Sequence, residues 1–322
     1  MYLFKSLMMK VAAYLLFALS FMHLIICVET IPVIFIHTGD SAYLEHTLWQ
    51  AREYNEQVIL LGDTSNNHYS HLKIEHYCSA SYSQAANYFA SIYKHISPMP
   101  YNFELTCFQR WFILEEFMQS KSIPVVFHCD TDAMLYCNIT QEYEYFKNYD
   151  LALVFIKRYH FINNYQGGMF SFWNLKSITS FCNYIRSVYE NKEKINALLK
   201  NYSAQQPSTY YHDDYPVTMD FVMNSTADLK ITSINKILNE ALFDNLMWLD
   251  YHMEEDSKKI EFLMKDIVLQ NCVYSKIKDI IWINNQPYCY SRSLKKYLRF
   301  KALHFQDACK VLIKQFRRQK NQ

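Results

Sequence analysis

The chain has 322 residues, with 32 Lys and Arg against 31 Asp and Glu, which gives a formal net charge of +1. A near-neutral chain lacks the basic field that wraps nucleic acid, and 51% hydrophobic with 20% charged residues excludes general disorder. Only 4 residues are glycine, which excludes collagen-like and low-complexity sequences.

The first feature along the chain is a segment, 11–28, without Asp, Glu, Lys or Arg, long enough to cross a bilayer as a helix. Lys5 and Lys10 precede it and Glu29 follows it, so the positive-inside rule predicts a single-pass type II membrane protein. In a eukaryote the rest of the chain would face the Golgi or endoplasmic reticulum lumen. A cleaved signal peptide followed by secretion, and a buried helix of the fold, are the alternatives.

Short apolar runs then alternate with helical patterns. Strands are predicted at 31–36, 57–61, 124–129 and 151–156, because each run is apolar or rich in β-branched and aromatic residues, and the segment 165–173 is predicted to be a turn that leads into a fifth strand. Helices are predicted at 44–51, 103–119 and 176–189, and a loop at 201–215. This alternation predicts an α/β fold with a mostly parallel central sheet flanked by helices.

The domain boundaries follow from these patterns. We expect a membrane anchor over 1–30, one large domain over 31–312 and a basic tail over 313–322. After Leu242 the pattern weakens and predicts no particular element. The nine cysteines include no CxxC pair, which argues against a structural zinc site and leaves disulfides and free thiols both open.

The four glycines lie beside the predicted strands. Gly39 and Gly62 follow the first two strands, and Gly167 and Gly168 precede the fifth. Open α/β sheets bind ligands beyond the carboxyl ends of their strands, and glycine lets the backbone approach a ligand closely. The pairs Thr38-Gly39 and Gly62-Asp63 are therefore predicted to contact a nucleotide, with ordinary turn glycines as the alternative.

Two carboxylates, Asp130 and Asp132, directly follow the apolar strand at 124–129. Carboxylates at the mouth of a buried strand are costly unless a positive partner lies close to them. A hard divalent cation, bound by carboxylate oxygens and by a substrate phosphate, is the usual partner. A pair of helix-capping aspartates is the alternative.

The order of these motifs resembles the nucleotide-sugar glycosyltransferases of the GT-A fold, a Rossmann-related α/β architecture. The Asp-x-Asp strand is similar to the family's metal motif, and the segments 166–174 and 213–220 are similar to its glycine-led strand and following acidic motif. The segment 303–310 resembles the His-x-x-Gly-x-x-Lys signature of the glycogenin-like branch, with Asp307 at the glycine position.

The resemblance implies roles for particular residues. His304 would be a third metal ligand beside Asp130 and Asp132, and Lys310 would contact the diphosphate. An O,O,N ligand set suits Mn²⁺, with Mg²⁺ as the other candidate. For His304 an interior structural histidine, and for Lys310 a solvated helix face, are the alternatives.

Further residues are predicted to contact the substrates. Arg110, on the helix before the metal motif, could meet a phosphate, with a surface ion pair to a nearby glutamate as the alternative. Gly167 and Gly168 would face the sugar. An inverting transferase needs a general base near the acceptor hydroxyl, and motif order favours Asp214 and Asp213. A retaining enzyme needs no such base.

The predicted function is that of a metal-dependent glycosyltransferase of hexosyltransferase type. It would move a sugar from a nucleotide-diphosphate donor to a hydroxyl of a glycan, glycolipid or glycoprotein, with the membrane as a partner through 11–28 and no nucleic-acid partner. A non-catalytic glycan- or partner-binding relative and a metal-dependent phosphotransferase or hydrolase are the alternatives. The chain has neither a P-loop nor a serine nucleophile elbow.

Overall fold

A seven-stranded sheet lies at the centre of the computed structural model, which describes residues 30–154, 169–205, 214–225, 228–244, 246–254, 258–268 and 276–317. Parallel pairing joins the first four strands in space and the last two, while the fifth is antiparallel to both its neighbours. The spatial order is β3 (Glu75–Cys78), β2 (Val58–Gly62), β1 (Val33–Ile36), β4 (Val125–Cys129), β7 (Phe170–Asn174), β6 (Leu151–Leu153) and β8 (Ile231–Ser233). The predicted α/β class with a mostly parallel sheet is confirmed.

Strands β1 and β2 carry no polar side chain, and β4 and β7 are mostly apolar, because helices cover both faces of the sheet. Successive side chains of β1 enter different cores: Ile34 packs with Phe108 on one face, and Phe35 packs with Leu48 on the other. The predicted strands at 31–36, 57–61 and 124–129 are therefore confirmed with shifts of one or two residues at their ends.

The described helices are α1 (Leu44–Tyr54), α2 (Gln84–Ile92), α3 (Tyr101–Lys121), α4 (Ile139–Tyr143), α5 (Leu175–Tyr189), α6 (Lys192–Gln205) and α7 (Asp214–Asn224). The predicted helices at 44–51, 103–119 and 176–189 are confirmed. The predicted loop at 201–215 is wrong at both ends, since α6 continues through Gln205 and α7 begins at Asp214. Helix α6 packs against α5 and α7, and this tertiary packing stabilises helical residues that the local pattern had left in a loop.

A second sheet forms after Leu242, where the sequence pattern predicted nothing. Antiparallel pairing joins β14 (Ile280–Ile283), β15 (Gln286–Ser291), β16 (Lys296–His304) and β5 (Ala133–Leu135), and β9 (Ala241–Phe243) pairs with β16. The described chain also contains two hairpins, β10 (Tyr251–Met253) with β11 (Lys259–Glu261) and β12 (Met264–Asp266) with β13 (Lys276–Lys278). Most of these strands are three to six residues long, too short for a strong periodic signal.

Within the described residues, no helix combines the length and the apolar character needed to cross a membrane. The longest, α3, has 21 residues but carries Glu104, Arg110 and Glu115 among them, and such charged side chains are costly in hydrocarbon. This finding contradicts the predicted single-pass type II membrane placement. The segment 11–28, on which that prediction depended, lies outside the described residues.

The end of the described chain is a 3-10 helix, Asp307–Phe316, that packs beside α1. Its Ile313 and Phe316 are buried in the core beneath the second sheet. This core therefore includes residues after position 312. Arg317, directly after this helix, lies over the ring of Trp49 in α1.

The cysteines among the described residues are all free thiols. Most are buried, and burial raises the pKa of the Cys129 thiol well above its usual range. These thiols contribute apolar packing to the cores.

Candidate functional site

Three predicted metal ligands come together at the carboxyl end of β4. Asp130 and Asp132 form the turn from β4 into β5, and β5 pairs with β16 so that Ala133 lies opposite His304. This register places His304 Nε2 3.1 Å from Asp132 Oδ1, although the two residues are 172 positions apart. One ligand atom from each of the three residues lies within 4.8 Å of the others.

Backbone hydrogen bonds fix this turn. The Asp130 N–H donates to the Met169 carbonyl at 2.9 Å, and the Ala133 N–H donates to the Asp130 carbonyl at 3.1 Å. The Phe305 N–H donates to the Asp132 carbonyl at 2.8 Å. Both carboxylates are therefore carried on a rigid support, which reduces the cost of holding them close together.

Lys310 supplies positive charge to the buried carboxylate. Its Nζ lies 3.1 Å from Asp132 Oδ2, on the other side of the carboxylate from His304. Burial alone would raise the pKa of the Asp132 carboxyl, but His304 and Lys310 hold it well below its usual range. Burial opposes the charged form of Lys310, yet Asp132 raises the pKa of its ammonium above the ordinary value.

Arg110 joins the metal motif to the predicted general base. Its guanidinium lies 3.0 Å from Asp130 Oδ1 and 3.6 Å from Asp214 Oδ2. The same group lies over the Trp111 ring, 4.7 Å from its centroid. Arg110 is thus held inside the site rather than paired with a neighbouring glutamate, and Asp214 at the start of α7 faces the metal motif.

A cavity of about 410 Å³ contains this cluster. Seven of the predicted site residues line it: Thr38, Arg110, Asp130, Asp132, Asp214, His304 and Lys310. Gly167, Gly168 and Asp213 lie outside the described residues. The cavity therefore brings together side chains from β1, α3, β4, α7, β16 and the C-terminal 3-10 helix.

One wall of the cavity is a face of α3 that sequence reasoning identified only in part. Phe103, Thr106, Cys107 and Arg110 line it at the spacing i, i+3, i+4 and i+7. The wall changes from an exposed aromatic ring at Phe103 to a guanidinium at Arg110. Burial raises the pKa of the Cys107 thiol, so this group is neutral. Once Arg110 had been assigned to the site, the helical spacing of the sequence was enough to place the other three residues on the same face of α3.

His37, at the end of β1, is a lining residue that the sequence analysis missed. Its ring nitrogens lie 3.2 Å from Thr131 Oγ1 and 3.2 Å from Ser41 Oγ. Burial lowers the pKa of His37, and Lys310 lowers it further, which favours the neutral ring. A neutral imidazole here connects the β1 turn to the metal motif. In the sequence, its position directly before Thr38-Gly39 could have identified it as a site residue.

Gly39, after β1, and Gly62, at the end of β2, belong to the turn region beside Thr38. Gly39 has φ +86°, and its N–H donates to Asp63 Oδ2 at 2.7 Å. A Cβ on Gly62 would lie 2.1 Å from Asn66 Oδ1. Gly39, Gly62 and Asp63 are not among the residues that line the cavity, whereas Thr38 is.

Hydrogen bonds from Ser65 and Gly39 lower the pKa of Asp63, so this carboxylate is ionised and committed to the turn. Asn66, which the sequence analysis did not identify, donates to the carbonyls of His37 at 3.0 Å and Gly39 at 2.9 Å. Together these groups hold the end of β1 in place beside the cavity.

The backbone at Asp307 is left-handed. Its φ is +54°, a conformation that glycine adopts most easily and aspartate tolerates. Asp307 also lines the cavity.

The donor set fits a divalent cation. Two carboxylates and one imidazole supply oxygen and nitrogen ligands, a combination that suits Mn²⁺ or Mg²⁺ among the common ions. Asp132 Oδ1 and Oδ2 are already paired with His304 and Lys310, and Asp130 Oδ1 with Arg110. A cation would therefore compete with Lys310 and Arg110 for the same oxygens.

Comparison with known proteins gives matches among solved structures alone: no protein-family model and no curated protein matches the chain. The apo form of mouse xyloside xylosyltransferase 1 is 13% identical, with 66% of this chain and 87% of that chain covered and a TM-score of 0.46. The apo WbbM bifunctional glycosyltransferase is 13% identical, with 66% and 40% covered and a TM-score of 0.40. This chain therefore spans less than half of WbbM.

A cytidylyltransferase from Leptospira borgpetersenii serovar Hardjo-bovis is also similar. It is 10% identical, with 61% of this chain and 95% of that chain covered and a TM-score of 0.31. All three TM-scores lie below 0.5, so the function of this chain has to be argued from its own site.

Proposed function

We propose that this chain is a metal-dependent glycosyltransferase, with a catalytic domain over 31–312. It would move a sugar from a nucleotide-diphosphate donor to a hydroxyl of a glycan, lipid or protein. The observation that carries this proposal is the cluster of Asp130, Asp132 and His304 beside Lys310 and Arg110 in one cavity. Paired carboxylates and cations at the carboxyl end of a sheet suit a metal-bound diphosphate.

Asp130, Asp132 and His304 would hold the Mn²⁺ or Mg²⁺ ion. When bound, the ion would neutralise charge on the departing nucleoside diphosphate. The glycogenin-like signature in 303–310 belongs to this proposal, and the left-handed φ of Asp307 supports it. A hexosyl donor is the expected substrate.

Lys310 and Arg110 would exchange partners when the donor binds. Both cations now neutralise the carboxylates, at 3.1 Å and 3.0 Å. Phosphate oxygens in the cavity would attract the same two groups, and Asp132 and Asp130 would then be released for the metal. Metal and nucleotide are therefore expected to bind cooperatively.

The remaining roles follow from position around the cavity. Asp214, held by Arg110, would accept the proton of the acceptor hydroxyl if the reaction inverts, with Asp213 as the second candidate. The nucleotide would lie over the turn built by Thr38-Gly39 and Gly62-Asp63. Gly167 and Gly168 would face the sugar.

A panel of nucleotide sugars tests the proposal on the full chain. We expect Mn²⁺-dependent release of one nucleoside diphosphate, abolished by EDTA, even without acceptor, because water can take the place of the acceptor. Metal-dependent nucleotide binding without turnover would still support a transferase that awaits its acceptor. Absence of both binding and turnover would contradict the enzyme and favour a non-catalytic binding protein.

Substitution of Lys310 tests the exchange of partners. Lys310→Met is expected to tighten Mn²⁺ binding in the absence of nucleotide by about threefold or more, because one oxygen of Asp132 loses its competing cation. The same change is expected to weaken binding of a nucleoside diphosphate about tenfold. Isothermal titration calorimetry measures both constants.

A matched control for this substitution is Lys296→Met, which removes the same charge from an exposed ion pair with Glu240. It is expected to leave both constants unchanged. Equal Mn²⁺ affinities for the Lys310→Met variant and the unmodified chain would contradict the competition between Lys310 and the metal.

A further inference from the structure

A second cavity, of about 500 Å³, lies apart from the candidate site and shares no lining residue with it. One wall is α1, through Trp49, Arg52 and Glu53. The others are the segment 71–73 and Arg317, just after the C-terminal 3-10 helix. Nothing in the proposed transfer reaction uses this cavity.

Residues of α1, or just before it, meet residues of the C-terminal 3-10 helix, or just after it, near both cavities. At the end near the candidate site, the Lys310 ammonium lies 5.6 Å from the centre of the Tyr43 ring. At the other end, the Arg317 guanidinium lies 3.8 Å from the centre of the Trp49 ring. Both elements therefore run side by side from one cavity to the other.

The seam between α1 and this 3-10 helix carries an excess of positive charge. The cations are Arg52, Lys73, Lys314 and Arg317, and the carboxylates along the same surface are Glu45 and Glu53. Four cations against two carboxylates leave this strip with an excess of two positive charges, in a chain whose formal net charge is +1. We call these four residues, together with Trp49, the basic strip.

The cations of the strip are positioned by neighbouring groups. Arg52 donates to the carbonyls of Lys73 at 3.1 Å and Asn55 at 2.8 Å, which orients its guanidinium without neutralising it. Arg317 lies 3.4 Å from His46 Nδ1 and 4.0 Å from Glu45 Oε1. Burial lowers the pKa of His46, and Arg317 and Lys314 lower it further against the opposing Glu45, which favours a neutral ring beside the Arg317 guanidinium.

We propose that the basic strip binds an acidic oligosaccharide, one that bears carboxylate or phosphate groups, and leads it toward the candidate site. The guanidinium and ammonium groups of the strip match the acidic substituents of such an oligosaccharide, and the Arg317 guanidinium is held in place over the Trp49 ring. The role as an acceptor path rests on the proposed glycosyltransferase function. Binding of the oligosaccharide itself does not depend on that function.

Direct binding to the full chain tests this inference. The probes are a fluorescently labelled hexagalacturonate, a phosphorylated oligomannoside of similar length and neutral maltohexaose, each titrated in EDTA and followed by fluorescence polarisation. EDTA prevents metal-dependent turnover, so failure of the glycosyltransferase proposal would not affect the result. At least one acidic probe is expected to bind tenfold or more tightly than the neutral one, and more weakly at high salt.

A triple variant identifies the surface. Arg52→Gln with Lys73→Gln and Arg317→Gln is expected to weaken binding of the acidic probe about tenfold or more. Its control, Lys147→Gln with Lys259→Gln and Lys296→Gln, removes the same charge from side chains 51%, 48% and 44% exposed elsewhere. The affinity of this control for the acidic probe should stay within about twofold of that of the unmodified chain. Lys73→Glu alone provides a test that leaves the packed residues intact.

Glu53 gives a change of opposite sign. Because its carboxylate lines the second cavity, Glu53→Gln is expected to tighten binding of the acidic probe about twofold. The proposal would be overturned if the two triple variants lost equal affinity for the acidic probe. It would also be overturned if the unmodified chain bound acidic and neutral probes equally well. If the chain bound anionic phospholipid vesicles more tightly than the acidic oligosaccharides, and only the strip variant lost that binding, the proposal would also be overturned. The strip would then be assigned to a lipid surface.

Discussion

Substitution Asp132→Asn is expected to reduce metal-dependent donor turnover by about 10²- to 10³-fold. The change keeps the size of the side chain but removes the charge that faces His304 at 3.1 Å and Lys310 at 3.1 Å. An amide offers one oxygen to a cation where a carboxylate offers two and a charge. Both metal affinity and the alignment of the leaving diphosphate should therefore fall. The measurement is the rate of nucleotide release at saturating Mn²⁺.

The control for this prediction separates function from stability. Asp150→Asn alters a carboxylate that accepts a hydrogen bond from the Lys230 N–H, outside the cavity. That variant should retain turnover near that of the unmodified chain. The thermal unfolding midpoint of each variant, measured in EDTA, shows whether the fold persists. A folded Asp132→Asn chain with more than a tenth of normal turnover would rule out the assigned role of Asp132.

The largest effect on stability is expected at a buried ion pair behind β16. Asp244 and Lys278 are 1% and 0% exposed, and Oδ1 lies 2.8 Å from Nζ. Burial raises the pKa of the Asp244 carboxyl above its ordinary value, and the Lys278 ammonium opposes that rise. Removing either partner leaves an uncompensated buried charge, so Asp244→Leu or Lys278→Met should each cost about 3–5 kcal/mol of unfolding free energy.

The double variant gives the decisive comparison. Asp244→Leu combined with Lys278→Met removes both charges and leaves apolar groups of similar volume, so its cost should be far below the sum of the two single costs. Urea unfolding at neutral pH measures all three variants. Additive costs would mean that the two charges do not depend on each other.

This ion pair also matters for the candidate site. The Asp244 N–H donates to the Ala302 carbonyl at 3.0 Å, and the Met247 N–H donates to the His304 carbonyl at 3.1 Å. The pair therefore supports the end of β16 that carries His304. Loss of the pair is expected to loosen that ligand as well as the core.

Much of the central sheet could be predicted from local sequence. Runs such as Val33–Ile36 and Val58–Gly62 carry no polar side chain because helices cover both faces of the sheet, and that pattern needs no knowledge of distant residues. The loop predicted at 201–215 failed because tertiary packing of α6 outweighs local propensity.

The candidate site could be predicted where its residues follow such strands. Asp130, Asp132 and Thr38 directly follow apolar strands, so their position at one edge of the sheet is a property of the local sequence. His304 and Lys310 were assigned through resemblance to a signature. An interior histidine and a solvated lysine stayed open as alternatives, because isolated polar residues have no local pattern.

The sequence by itself determined the α/β class, the strand ends and the carboxylate pair, since these depend on hydrophobic runs and on neighbouring residues. Only the tertiary structure decided which distant groups meet those carboxylates. The pairing of β5 with β16 brings His304 to Asp132, and the approach of α3 brings Arg110 to Asp130 and Asp214. The basic strip likewise exists because α1 and the C-terminal 3-10 helix, more than 250 positions apart, pack side by side. Such contacts arise from packing between whole elements, which a local pattern of residues does not encode.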